Sequence, residues 1–286
     1  MRQIMDKNWF TEIDEENGSA FSMSVTEKLH EERTAFQHIE IYETVHFGTL
    51  MVIDGFVMLT DRDNFIYHEM MSHPVLFTHA APENIAIIGG GDCGTLHEVL
   101  KHPGVKTVRQ IDIDERVTRL SERYFPQLCE TNDDPRAEFL FIDGIEWMSD
   151  TKAGSVDVII VDSTDPVGPG EGLFTEAFYR SCLAALGEHG IMVQQSESPL
   201  YHMPILGPMR TAMRSAGFSS VLTLYFPQAS YPSGWWSATM GGKNSSLETF
   251  RKDDAANKAF RTDYYNTGIH QAAMAEPEFV RRALQE

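Results

Sequence analysis

Residues 85–94 read IAIIGGGDCG: four apolar residues in a row, three glycines, an aspartate, a cysteine and a fourth glycine. An unbroken Ile/Ala run of this length predicts a strand buried on both faces. Behind it, Gly89, Gly91 and Gly94 fit a Gly-x-Gly-x-x-Gly turn, and Gly90 lets the backbone come close to a ligand. Turns of this kind usually receive phosphate. Asp92 puts negative charge where a dinucleotide pyrophosphate would lie, which argues against NAD and FAD. The ligand that fits is an adenosine carrying positive charge in place of phosphate, such as a sulfonium nucleoside.

Further along the chain, apolar runs alternate with helical stretches. Strands are predicted over 107–114, 138–142, 156–162 and 190–195. Helices are predicted over 93–102, 115–124, 144–150, 175–186 and 204–217. This alternation predicts an α/β fold with a doubly wound, mostly parallel sheet of Rossmann-like, methyltransferase type. Residues 219–226 and 235–242 predict a final, partly antiparallel pair, and the polar stretch 241–260 a surface excursion. Before residue 65 the pattern differs: short runs rich in Val, Ile, Thr and Phe alternate, and VIDGFVML around Asp54-Gly55 is a hairpin signal. The reading is a small N-terminal antiparallel β domain, 1–64, and a catalytic domain, 65–286.

Bulk properties narrow the function classes. The chain has 286 residues, 42% of them hydrophobic, with no apolar run long enough for a membrane span and no apolar signal stretch in residues 1–18. Three scattered cysteines (Cys93, Cys129, Cys182) without Cys-x-x-Cys argue against a disulfide framework or zinc cluster, so a cytoplasmic setting is expected. A net charge of −19 repels nucleic acid and anionic lipid and attracts small cations.

Open α/β sheets bind ligands beyond the carboxyl ends of their strands. The residues there are the glycine turn, Asp112, Asp143-Gly144, the Asp162–Asp165 segment and Gln195. Asp112 lies 20 residues after Asp92, the spacing of an acid that accepts from ribose hydroxyls. Asp143 suits either an adenine amino group or a helix cap. An Asx-turn before Pro166 explains one of Asp162 and Asp165, not the pair. Carboxylates gathered at one rim repel, so a pKa rises unless cations share the site; polyamines are such cations. Several aspartates can hold Mg²⁺ or Ca²⁺, but the His and Cys residues show no ligand spacing, and no metal is expected.

These features resemble a known family. FGTLMVIDG (47–55), DNFIYHEMMSHP (63–74), GGGDCGTLHEVLKHP (89–103), VDVIIVDSTDPVGPGEGLF (156–174) and YPSGWW (231–236) together resemble the polyamine aminopropyltransferases, the spermidine synthase group, over nearly the whole chain. The resemblance implies transfer of the aminopropyl group of decarboxylated S-adenosylmethionine to putrescine, giving spermidine and methylthioadenosine. The sulfonium nucleoside acts as co-substrate and no cofactor is implied. It implies that Gln37 contacts the nucleoside, Asp112 the ribose, and Asp143 with Gly144 the adenine. Pro169 would cover the adenine from a gate loop over residues 163–174. Asp92, with Asp162, would hold the aminopropyl ammonium, and Tyr67, His68, Asp165, Gln195, Tyr231 and Trp236 would line the acceptor channel. Asp162 would take the proton, helped by Tyr67, while Asp165 and Tyr231 fix the amine.

Two positions depart from the family pattern. Cys93 stands where glycine is usual, and its side chain would narrow the donor site or demand a particular backbone angle. Asp112 stands where glutamate is usual and is one methylene shorter. The resemblance also implies a homodimer or homotetramer with the β domain in the contact. The alternatives are another acceptor (cadaverine, agmatine or spermidine), an ordinary methyltransferase, which would have to seat a carboxylate near Asp92, and a non-catalytic polyamine sensor.

Overall fold

The computed structural model describes residues 8–165 and 168–284, with the side chains at 168 and 169 outside that description. The first five strands form an antiparallel meander: β1 (Trp9–Asp14), β2 (Ser19–Arg33), β3 (His38–Thr44), β4 (Thr49–Ile53) and β5 (Phe56–Thr60), paired in that order. Asp54 and Gly55 both take positive φ between β4 and β5, as a tight two-residue hairpin turn requires.

The chain then enters α1 (Asn64–Thr78) and alternates: β6 (Asn84–Gly89), α2 (Gly94–Leu100), β7 (Thr107–Asp112), α3 (Glu115–Tyr124), β8 (Ala137–Phe141), α4 (Gly144–Asp150), β9 (Val156–Asp162), α5 (Glu176–Ala185), β10 (Leu186–Gln195) and α6 (Met203–Ala216). It closes with β11 (Ser220–Pro227), β12 (Trp235–Gly242) and three short helices, α7 (Lys252–Ala256), α8 (Thr267–Ala273) and α9 (Glu278–Ala283). The large sheet has the order β11-β12-β10-β9-β6-β7-β8; β10, β9, β6, β7 and β8 are parallel, and β12 runs antiparallel to both its neighbours. This is the expected Rossmann-like architecture.

The continuous apolar strands behave as a two-period pattern requires. Ile85, Ile87, Val158 and Ile160 face the core under α1 and α2, while Ala86, Ile88, Ile159 and Val161 face the one under α4, α5 and α6. The small sheet is closed in the same way. Leu50 and Val52 of β4 pack with Met70 and Met71 of α1; Met51 and Ile53 pack with Val117 and Leu120 of α3. Its two faces therefore share their cores with the large domain.

Residues 241–260, expected as a surface excursion, instead dock. Leu247 and Ala255 are buried, and Arg251 donates to the carbonyls of Leu76 (2.9 Å) and His79 (2.9 Å) at the end of α1. The final carbonyls of a helix have no partner within it, and a guanidinium satisfies two of them here. Among the described residues, no helix is long and apolar enough to cross a membrane.

Candidate active site

The sheet reverses its order of addition between β6 and β9, and there the two strand ends meet. Gly89 lies level with Asp162, and the Gly90 N–H donates to the Asp162 carbonyl at 2.7 Å. Contact this close needs glycine: a Cβ on Gly89, whose φ is +83°, would sit 2.2 Å from that carbonyl oxygen. A Cβ on Gly91 would lie 2.7 Å from an Asp112 carboxylate oxygen.

Above this junction lies a cavity of about 460 Å³. Its walls carry Asp54, Asp92, Asp112, Asp143, Asp162 and Asp165, and the described lining residues include no lysine, arginine or histidine. Gln37, Met51 and Ile53 enter from the small sheet, and Gly144, Ile145 and Tyr231 from the large domain.

Asp162 is the most closely controlled of these acids. Tyr67 donates its hydroxyl to one carboxylate oxygen at 2.7 Å and Thr95 donates to the other at 2.6 Å. Burial, then the nearby charge of Asp92, push its pKa up. Burial and Asp162 likewise raise Tyr67 well above the ordinary phenol value, so Tyr67 remains a neutral donor. The result is a carboxylate fixed in orientation by two hydroxyls and disposed to accept a proton.

Asp92 is held differently. One of its carboxylate oxygens accepts from the Gly94 N–H at 2.7 Å, and the His68 Nε2 lies 3.2 Å from the same oxygen. Burial opposes its ionisation, but the His68 charge and hydrogen bond prevail and keep its pKa low. His68 is raised in turn: burial disfavours its charge and Asp92 more than compensates.

The predicted donor residues converge on the other half of the cavity. Asp112 accepts from the Asp114 N–H at 2.8 Å, and burial pushes its pKa up to about 6. Asp143 caps α4, accepting from the Ile145 N–H at 2.7 Å, and also borders the cavity, so the cap reading holds and does not displace the other. Gln37 borders the cavity while its amide donates to Asp114 at 2.9 Å. The side chain of Pro169 lies outside the described residues.

Three predicted acceptor residues stand one layer behind the wall. His68 backs Asp92, and the ring of Trp236 packs edge-on against Tyr231 with centroids 4.7 Å apart. Gln195 donates to the Thr164 carbonyl at 3.5 Å and to Glu197 at 3.1 Å. Tyr231 lines the cavity with its ring, but its hydroxyl donates to the Met58 carbonyl at 2.6 Å. It therefore presents its ring, not its hydroxyl, to the cavity.

Sequence reasoning passed over several site residues. Glu12 on β1 is buried, accepts from the Val57 N–H at 2.8 Å, and is raised to about 7, by burial first and with Asp165 contributing. Glu197 is 1% exposed, sits at φ +65° and pairs with the His202 Nδ1 at 2.9 Å. Asp165 is raised well above the ordinary value by burial and by Glu197. The positions of Glu197 and Asp114, two residues beyond β10 and β7, were the available signal; Glu12 and Thr95 had none of that kind. One group of potential metal ligands occurs among the described residues, Glu31, His38 and Glu40 on β2 and β3. Lys28 already bridges its two carboxylates, at 2.7 and 2.6 Å.

Comparison with known proteins agrees with this geometry. Residues 64–252 match the spermine/spermidine synthase domain, and residues 8–61 match the spermidine synthase tetramerisation domain. The chain belongs to the spermine/spermidine synthase family.

The family's polyamine aminopropyltransferase of Thioalkalivibrio sulfidiphilus is 63% identical over 281 residues, covering 98% of this chain and 99% of that one. The polyamine aminopropyltransferase of Methylococcus capsulatus is 64% identical over 280 residues, covering 98% of each. A crystal structure of a spermidine synthase in complex with the transition-state analogue AdoDATO superposes with a TM-score of 0.94 at 34% identity, covering 99% of this chain and 97% of that one. The chain is accordingly a transferase of the polyamine aminopropyltransferase class.

Proposed function

We propose that this transferase moves the aminopropyl group of decarboxylated S-adenosylmethionine to putrescine, releasing spermidine and methylthioadenosine. The observation that carries the reading is a cavity walled by six aspartates with no cationic side chain among its described lining residues. Such a wall attracts a sulfonium nucleoside and a diamine. It disfavours the carboxylated parent donor, because a carboxylate near Asp92 at about 4 Å meets repulsion of roughly 4 kcal/mol at an effective dielectric near 20.

In this reading Asp92 holds the donor's ammonium, Asp112 the ribose, Asp143 and Gly144 the adenine, and Gln37 closes the nucleoside from the small sheet. The attacking amine nitrogen approaches the methylene bound to sulfur. As the N–C bond forms, the C–S bond breaks, and its electron pair returns to sulfur as a neutral thioether. The proton lost from nitrogen goes to Asp162, whose raised pKa suits it to receive one. Alignment of nitrogen, carbon and sulfur supplies most of the acceleration. Beyond Asp165, Glu12 and Glu197 are further buried carboxyls raised by burial, which the acceptor's far ammonium would ionise on pairing with them. The reaction needs no metal or cofactor, so a chelator leaves the rate unchanged. The match to a tetramerisation domain supports a homo-oligomer, dimer or tetramer, which sedimentation would size. We place it in the cytoplasm on the basis of its scattered cysteines, testable by fractionation.

Incubation with each donor and a panel of diamines, followed by mass spectrometry, tests the function. Methylthioadenosine with spermidine is expected. S-adenosylhomocysteine would identify methyl transfer instead, and preferred use of cadaverine, agmatine or spermidine would move the acceptor assignment.

A further inference from the structure

Two thiols that the mechanism does not use flank the glycine turn. Cys93 follows Asp92 with φ +70°, is fully buried, and its Sγ lies 3.6 Å from the Gly91 carbonyl oxygen. Cys129 belongs to the segment after the short 3-10 turn Pro126–Leu128, is half-buried, and its Sγ lies 3.9 Å from the Asp92 carbonyl oxygen. The two side chains interact directly, with Gln110 3.9 Å from Cys93 on the other side. We propose that Cys93 and Cys129 are a modification site for hydroperoxides: oxidation joins them in a disulfide that fixes the donor turn to the 129–135 segment and weakens donor binding.

The chemistry assigns each sulfur a part. Cys129 is the accessible one. The Cys93 thiol is pushed up, first by its hydrogen bond to Cys129 and then by burial, so Cys93 stays protonated while the half-buried Cys129 is the sulfur a peroxide can reach. The Cys129 thiolate attacks one peroxide oxygen, the O–O bond breaks, and the sulfur becomes a sulfenic acid while the peroxide is reduced to water or an alcohol. The Cys93 sulfur then displaces the sulfenic oxygen, which leaves as water with the Cys93 proton. Two thiols and one hydroperoxide give one disulfide, one water and one water or alcohol. Forming the bond brings the sulfurs to about 2.05 Å, drawing Cys93 Sγ from the Gly91 carbonyl and shifting the peptide that carries Asp92. Cys182, on the buried face of α5, serves as an internal control.

The donor readout rests on the function proposed above; the disulfide does not. The full chain would be titrated with hydrogen peroxide and digested with trypsin without reduction. Amide exchange at residues 89–94 and donor affinity by calorimetry would be measured before oxidation, after it, and after dithiothreitol. The expected result is a linked peptide pair, 63–101 with 124–136, two hydrogens lighter than its parts. Exchange in the turn should change, and donor Kd should rise about 10-fold, both reversibly, with none of these in Cys129→Ser. The proposal is overturned if the pair is absent at peroxide levels that spare Cys182, or if it forms with unchanged turn exchange. It is equally overturned if the pair forms and donor affinity is unaltered. A reduced protein that does not bind the donor would refute the proposed function instead, leaving peptide and exchange to decide the disulfide.

Discussion

Two buried acidic regions, one where α1 meets α2 and one at the strand ends, are built on different rules. Under α1, Glu98 pairs with His73 at 3.1 Å and Lys101 at 2.7 Å, and these partners hold its pKa at about 2 despite burial. The His73 Nδ1 continues to the His102 Nε2 at 3.0 Å, and Glu69 accepts from the N–H groups of Asp263, Tyr264 and Tyr265. Near Asp165, Glu12 is as deeply buried but accepts one backbone N–H and has Asp165 and Asp14 as neighbours, and it stands at about 7. The same residue type at similar depth titrates far apart because one site supplies its counter-charges and the other leaves them to a ligand. Glu98 is fully compensated within the chain; in the cavity Asp92 alone is held low by a partner, His68, while Asp112, Asp162 and Asp165 are left raised.

Mutations that exchange these rules test the contrast. Asp162→Asn is expected to lower turnover by about 10²- to 10⁴-fold while donor affinity changes little, as single-turnover kinetics beside calorimetry would report. Unchanged turnover would remove Asp162 from the chemistry. Asp92→Asn should raise donor KM by roughly 10²-fold and narrow discrimination against the carboxylated donor, since about 4 kcal/mol of attraction and repulsion goes, less desolvation. On the compensated side, Glu98→Gln strands the charges of its partners and should destabilise the fold by about 3 kcal/mol in urea unfolding, leaving kcat unaltered.

pH distinguishes the regions as well. The folded state binds more protons than the unfolded one at Glu12 and Asp112, because their pKa values rise to about 7 and about 6. Their contribution to stability is complete below about pH 4 and is lost as pH rises to 7. For Glu12 alone that loss is on the order of 3 kcal/mol. The ligand-free protein should therefore lose Tm between pH 5 and 7.5 in scanning calorimetry, and Glu12→Gln should flatten the slope. A flat profile in the unaltered protein would mean that these acids are compensated after all. The smallest effect expected is from Thr95→Val, which removes one hydroxyl from Asp162 and should cost about 1 kcal/mol, a several-fold drop in kcat.

The site was legible wherever function followed strand ends. Asp92, Asp112, Asp143, Asp162 and Asp165 all sit where the parallel sheet delivers its ligands, so the strand pattern was enough to find them. Glu12 was not legible because it reaches its place only through pairing of β1 in the small sheet, 45 residues from the N–H it accepts. The same holds for Thr95, which meets Asp162 across 67 residues, and for the Tyr231 hydroxyl, taken by Met58 across 173. At Cys93 the expected backbone demand is present, since its φ of +70° is a left-handed conformation that glycine adopts without strain.

By itself the sequence determined the strand–helix alternation, the glycine turn and the type of residue at each strand end, because hydrophobic period and backbone freedom are local properties. Only the tertiary structure decided which acids are compensated. That depends on the partners that distant segments bring within a few ångströms, and on the water that they exclude.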